Sequence, residues 1–474
     1  MPQWALNRVH NFSDALRLHY IFEENGFSVH SFDNLDVDSI KRELNEYSSG
    51  KRGVYDLLVC VVLTHLFDGK LCAQDAVYPF NIIHEPFLLK NCKMLKGKPK
   101  LFICDFSQAI SKALGKKQQF KVPAELPTED DFFVAISLAS DDAIIRSPYI
   151  EYSYFMRFLI EAMQDNNGDI ELIFNDVKRR LSIEQGDLLL QHTLVFTTLR
   201  DNCYINRSTV QLTKEQLEDE YKFKNGHCVI FNHDTYNIEG EINPPTREGA
   251  EKDCKDIRKH FIQCGFKVLI LNNPTYEDII TILTCYAKDI IDHDCLVCFF
   301  LTHGKMNKLY AKDKSYEIDN ILIPFIPEEA TRQAEKAIVF FINACQTYFE
   351  FDGNPLIARL DKKILRQMCI PESDFLIAMS TAPGFTSLRN IEDGAFFIQY
   401  LLQTLRSIHQ NNEKQDIHKV LQRTYNTFSK DRNDFKGMFV HLAAENSTNE
   451  EIRQYPVYVS TMRKLFDLHR NVPH

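Results

Sequence analysis

Long hydrophobic runs are missing from this chain. Its longest apolar stretches, such as Cys295–Leu301, are strand-sized and fall well short of the roughly 18 residues that cross a bilayer. The opening residues Met1–His10 hold no apolar h-region, so no secretory leader is expected and the reading is a cytoplasmic protein without a membrane partner. A basic excess is missing too. With 65 acidic against 55 basic residues the net charge is −10, which argues against nucleic acid as a partner. There is no G-x-G-x-x-G and no Walker-type lysine loop, so a nucleotide-dependent enzyme finds little support and no cofactor is expected. Thirteen cysteines, an odd number spread over 474 residues, make no disulfide framework and suit a reducing compartment. Cys295 and Cys298 lie in one apolar run with no second pair nearby. Three positions apart on a strand, they face opposite sides, so no metal site is expected there. Cys60, which matches Cys298 in the repeat below, fits a packing role.

What is present is an ordinary globular composition, 44% hydrophobic and 25% charged, in a length that allows two to four domains at roughly 100–200 residues each. It is also written twice. Tyr55–His65 (YDLLVCVVLTH) and His293–His303 (HDCLVCFFLTH) agree at seven of eleven positions, 238 residues apart. Lys98–Ser107 falls over Lys336–Cys345, Asp131–Ser137 over Asp374–Ser380, and Gln191–Leu199 over Gln454–Met462. Arg8 falls over Arg247, Phe27 over Phe266 and Arg146 over Arg389. Collinear matches at a period near 240 residues indicate tandem duplication of a whole domain.

The polar stretch Asp201–Lys222 marks the seam, with residues 205–222 as linker. The second copy then starts on a strand, Gly226–Asn232, for which the first has no equivalent: either that copy lost the strand or the chain starts late. Short runs apolar on both faces (Lys267–Leu271, Cys295–Leu301, Ala337–Ile342, Phe375–Met379, Pro456–Ser460) alternate with helical segments (Glu277–Ile290, Ala395–Arg406). That order predicts a mostly parallel sheet covered by helices on both sides.

Two of those strands run into reactive side chains: Cys295–Thr302 into His303-Gly304, and Ile338–Ala344 into Cys345. Chemistry in open parallel sheets gathers beyond the carboxyl ends of the strands. A Cys and a His delivered there are the parts of a cysteine nucleophile with its acid/base partner.

The segments Leu301–Gly304 (LTHG), Ile342–Gln346 (INACQ), Met379–Asn390 (MSTAPGFTSLRN), Asp393–Gln399 (DGAFFIQ) and Pro245–Asp253 (PTREGAEKD) resemble the caspases, in the family's order, from about Tyr221 to the C-terminus and more faintly in the first copy. The resemblance implies a caspase-like α/β fold, a mostly parallel six-stranded sheet flanked by helices, present twice in tandem. Residues 1–204 would be a caspase-like domain lacking its first strand, and 223–474 the catalytic domain, with a large-subunit part 223–352 and a small-subunit part from about 370. It further implies Cys345 as nucleophile and His303 as proton donor to the leaving amine. Gly304 and Cys345 N–H groups would hold the oxyanion, and Arg247, Arg389, Asn343 and Ser387 would bind a substrate aspartate. Asp352, Asp361 and Asp219 are candidate maturation cuts.

The sequence departs from the family at Asn343 (usually Gln), Thr347 (usually Gly) and Leu388 (usually Trp). In the first copy His65 is retained, but Ser107 stands at the cysteine position, Leu66 after the histidine and Phe106 before the serine, which implies a catalytically dead copy. The implied function is a cysteine endopeptidase cutting after aspartate in apoptosis or innate immune signalling, with protein substrates. The chain would act as an internal pseudo-dimer, the first copy partnering the second, or as a homodimer. The competing readings are a non-enzymatic decoy binding other caspases or adaptor proteins, and a recruitment or inhibitory role for the first copy alone.

Overall fold

The computed structural model describes residues 11–67, 69–108, 126–140, 153–165, 168–185, 191–205, 220–240, 243–326, 336–346, 374–383, 385–390, 392–411, 413–431 and 454–468. Arg8, Arg146, Asp219, Thr347, Asp352 and Asp361 lie outside them. The apolar runs become strands: β1 (Leu58–Phe67), β2 (Lys70–Cys72), β3 (Val77–Tyr78), β4 (Lys100–Gln108), β5 (Phe132–Ser140) and β6 (Gln191–Thr197) in the first copy. The second supplies β7 (Gly226–Asn232), β8 (Lys267–Asn272), β9 (Cys295–Leu301), β10 (Ala337–Asn343), β11 (Phe375–Met379) and β12 (Val457–Ser460). All twelve form one sheet in the order β3-β2-β1-β4-β5-β6-β12-β11-β10-β9-β7-β8. β9, β10 and β11 are buried along their whole length because helices cover both faces. Cys295 packs in the cluster on one face and Cys298 in that on the other, and no group able to hold a metal occurs among the described residues.

The helices longer than one turn among the described residues are α1 (Asn11–Glu24), α2 (Val37–Ser48), α3 (Tyr154–Asp165), α4 (Ile170–Gln185), α5 (Ala250–Gln263), α6 (Tyr276–Ala287), α7 (Phe396–Gln410) and α8 (Ile417–Asp431). α6 opens on a capping box: Thr275 Oγ1 accepts from Asp278 N–H (3.2 Å), and the Asp278 carboxylate accepts from Thr275 N–H (2.9 Å). It stops at Ala287, three residues before the end expected from the sequence, where the chain turns through Asp289 at φ 53°. Among the described residues no helix is long and apolar enough to cross a membrane.

The duplication holds rung by rung. Leu58 pairs with Lys100 as Leu296 pairs with Ile338, and Lys100 pairs with Phe132 as Ile338 pairs with Phe375. Phe133 pairs with Thr197 as Leu376 pairs with Ser460. The copies differ at their outer edges. β9 carries β7 and then β8, both parallel; among the described residues β1 has on its outer edge only the short antiparallel β2 beside Leu66 and Phe67, and is half-buried along most of its length.

The two halves join where β6 runs antiparallel to β12, with Phe196 opposite Val459 at the centre. Those two residues occupy equivalent places in their copies, and so do Val195–Ser460 and Tyr458–Thr197 when exchanged. The seam therefore has the geometry of an isologous dimer interface folded into one chain. Side chains repeat the symmetry: Arg463 donates to Ser182 Oγ across the seam, and Arg200 to Ser429 Oγ (3.4 Å).

Candidate active site

β9 and β10 are parallel and in register, with Leu301 opposite Asn343. His303 and Cys345 each follow two residues beyond that last rung, so the sheet delivers both to one level of its carboxyl edge. Between them the backbone is tight. A Cβ on Gly304 would lie 2.3 Å from the Cys345 carbonyl oxygen and 2.9 Å from Ala344 Cβ. Glycine is required by that approach, and on the peptidase reading that the sequence resemblance implies, Gly304→Ala is expected to lower kcat/KM by at least about a hundredfold, the scale of losing an oxyanion donor. Steady-state kinetics on an aspartyl peptide checks it.

His303 is oriented from two sides. Its Nε2 lies 2.9 Å from the Pro245 carbonyl, which only accepts, so Nε2 carries the proton and Nδ1 is the basic nitrogen. Its N–H donates to Tyr236 Oη (3.0 Å), which also bonds Thr302 Oγ1 (3.0 Å). Burial, with help from Arg247 and Arg389, pushes the imidazole down to about 4, so the ring is neutral at pH 7.

The Cys345 thiol is half-buried and held by Ser387. The Ser387 N–H donates to Sγ (3.4 Å), and Sγ faces the Ser387 carbonyl at 3.7 Å. Burial raises the thiol above its ordinary range, opposed by that N–H and by Arg247. Thiol and imidazole are therefore both neutral in this state. Burial penalises the thiolate, so alkylation of Cys345 by iodoacetamide, followed by peptide mass spectrometry, is expected to keep rising beyond about pH 8.5, the ordinary thiol value. A plateau reached below pH 7 would contradict the assignment of a neutral pair.

The arginines have different surroundings. Arg247 is buried and donates to two carbonyls, His233 O (2.6 Å) and Leu301 O (2.8 Å). Among the described residues no carboxylate touches it, and burial together with the nearby Arg389 pushes it down to about 10. Arg389 instead meets Asp253 (2.8 Å) and the Glu248 carbonyl (3.0 Å). Asp253 is fully buried and also accepts from Ala395 N–H (3.0 Å) and Gln399 Nε2 (3.0 Å). Gly394, at φ 93°, makes room for it, since a Cβ there would come within 2.2 Å of its carboxylate. Asn343 accepts from Ser387 Oγ (3.3 Å), which in turn accepts from Ser380 Oγ (2.8 Å). Leu388 is buried, its N–H held by Gln454 Oε1 (2.8 Å).

Asp253, Pro245, Tyr236 and Gln454 gained no role from the sequence. The first two stood at the ends of a quoted motif, and the other two work through contacts 66 or more residues away.

The matching level of the first copy is built differently. β1 and β4 run on through it, so His65 and Ser107 are opposite one another as a paired rung. Ser107 is wholly buried, and its Oγ lies 2.7 Å from His65 Nδ1. Leu66 and Phe106 are buried beside them.

These features define a thiol and an imidazole at the carboxyl edge of a parallel sheet, in one half of a doubled α/β chain. The model of the family described as "Caspase domain" matches residues 2–209 and 225–467. Similar proteins include Caspase-1 of Spodoptera frugiperda, 32% identical over 254 residues that span 52% of this chain and 81% of that protein. Caspase-1 of Drosophila melanogaster is 32% identical over 46% of this chain and 68% of its own length, and Caspase-7 of Gallus gallus 32% identical over 44% and 68%. The crystal structure of the Spodoptera frugiperda Caspase-1 matches at 31% identity over 55% of this chain and 98% of that one, with a TM-score of 0.41. The chain belongs to the caspase family and carries the family's domain twice. At that level it is a member of a family of cysteine peptidases.

Proposed function

We propose that the second copy is a cysteine endopeptidase that cleaves proteins after aspartate, in apoptosis or innate immune signalling, and that the first copy is its partner in cis. The observation that carries the reading is Arg247: a buried guanidinium beside Cys345, held by carbonyl oxygens and touched by no described carboxylate. Such a group favours a substrate anion, and a guanidinium binds a carboxylate through two parallel charge-assisted bonds.

In the reaction, the Cys345 sulfur attacks the carbonyl carbon of the aspartyl residue and its thiol proton passes to His303 Nδ1. His303 then protonates the departing amine as the C–N bond breaks. Water hydrolyses the resulting thioester, and the Gly304 and Cys345 N–H groups stabilise the oxyanion in both steps. The resting arrangement, with Ser387 on the thiol and Asp253 on Arg389, fits a zymogen that rearranges before turnover. Asp352, Asp361 and Asp219 remain the proposed cuts, and the domain limits stay at 1–204 and 223–474.

The first copy supports the reading by what it lacks: a serine stands at the cysteine position, bonded to His65 within the sheet, while its last strand pairs along its whole length with β5. Peptides differing only by Asp, Glu or Asn at the cleaved position test the proposal. Turnover confined to Asp and absent in Cys345→Ala is the expected result. No turnover of any of them by the unmutated, proteolytically matured chain favours the decoy, a reading for which the neutral, covered thiol speaks.

A further inference from the structure

The seam is symmetric in its backbone but not in its buried charges. Ile170 N–H donates to Cys203 O (2.9 Å) as Ile417 N–H donates to Phe466 O (2.8 Å), which fixes the equivalence of α4 and α8. In that register Asp169 corresponds to Asp416, Glu171 to His418, Leu172 to Lys419 and, on the strands, Val195 to Tyr458. Across the seam, Lys419 Nζ reaches Asp169 (2.7 Å) and Asn202 Oδ1 (2.9 Å), with Glu171 at 3.8 Å. Tyr458 Oη donates to Glu171. Neither contact has a mirror image, because leucine and valine occupy the corresponding places in the first copy.

We infer that this asymmetry is a recognition key: it fits the second copy to the first and selects against the second copy of another chain. The inference rests on the in-cis partner reading and names what enforces it. In a pair of second copies, Tyr458 would face His418 instead of Glu171. Both ring nitrogens of His418 are already committed, Nδ1 to Asp416 (2.6 Å) and Nε2 to Ser460 Oγ (2.8 Å). Lys419 would find Asp416, which also accepts from Phe466 N–H (2.8 Å), and would lose the glutamate and the Asn202 acceptor. In a pair of first copies, two Asp169 and two Glu171 would be enclosed with no Lys419 to answer either carboxylate. A buried donor or acceptor left without its partner is the costly element in such mismatches, so specificity comes from penalising the wrong pair.

Exchanging the charges tests this in the full chain. Lys419→Glu puts a carboxylate against Asp169 and Glu171, and Asp169→Lys puts a lysine against Lys419. Each single variant is expected to lose its internal pairing and unfold at a lower temperature. Mixed one to one, their copies are complementary only between chains. Light scattering should then show a species of twice the single-chain mass of 55.2 kDa. The double variant Asp169→Lys/Lys419→Glu restores the pair within one chain and should return to single-chain mass. Single variants indistinguishable from the parent, a mixture that does not associate, or a double variant as damaged as Lys419→Glu would each overturn the key. None of these readouts uses catalysis. The expected mass pattern without peptide turnover would uphold the key and place the failure in the peptidase reading.

Discussion

On the proposed function, Cys345→Ala is expected to lower turnover of aspartyl peptides by at least about a thousandfold, the scale of losing a covalent nucleophile, and to leave the fold intact. The residue follows β10 at a half-buried position, and among the described residues its sulfur is held by backbone atoms of Ser387 alone, so deleting it should change stability by no more than about 1 kcal/mol. The control lies 238 positions earlier. Ser107→Ala removes the buried hydroxyl that bonds His65 and should leave turnover unchanged while costing about 1 kcal/mol. Peptide kinetics and urea unfolding on the two variants separate the copy proposed to work from the copy proposed to be silent.

The largest effect on stability belongs to Arg463. Its guanidinium is fork-bonded to Asp374, the side chains are 8% and 6% exposed, and it also donates to Ser182 across the seam. Tyr221 Oη donates to the same carboxylate and accepts from Arg463 N–H (3.0 Å). Among the described residues Arg463→Ala leaves Asp374 one remaining donor, and it severs a tie between the halves, so a loss of about 3–5 kcal/mol is expected. Arg200, its equivalent in the first copy, binds Asp131 in the same way but is 26% exposed, and water can replace part of what it supplies. Arg200→Ala should therefore cost clearly less. Equal losses in urea unfolding would show that the seam treats the two sides alike.

The strands were legible because each central one is a short run apolar on both faces. Gly226–Asn232, Cys295–Leu301 and Phe375–Met379 match the sequence reading end for end. Repeated motifs also revealed the duplication, and the equal rungs in both halves follow from it. Cys345, His303 and Gly304 could be placed because strand ends project their successors to the sheet's edge. Helix ends were less readable: α6 stops at a left-handed Asp289 that periodicity does not mark. Asp253 was silent because its work is done by Arg389, Ala395 and Gln399, at least 136 residues away, and burial decides its importance. The continuity of the sheet across β6 and β12 was beyond local pattern, and only the family resemblance, through the pseudo-dimer it implied, pointed to it. An antiparallel pair between copies leaves no mark in either strand, and the keyed contacts of Lys419 and Tyr458 show only once α4 and α8 are laid in register.

The central claim is that one chain holds one working site and its own partner. Labelling the proteolytically matured protein with an irreversible peptide probe bearing aspartate, under light scattering, tests it most directly. The account predicts one label, on Cys345, per unit of single-chain mass, 55.2 kDa. Labelling found only in a species of two or more chains would contradict it.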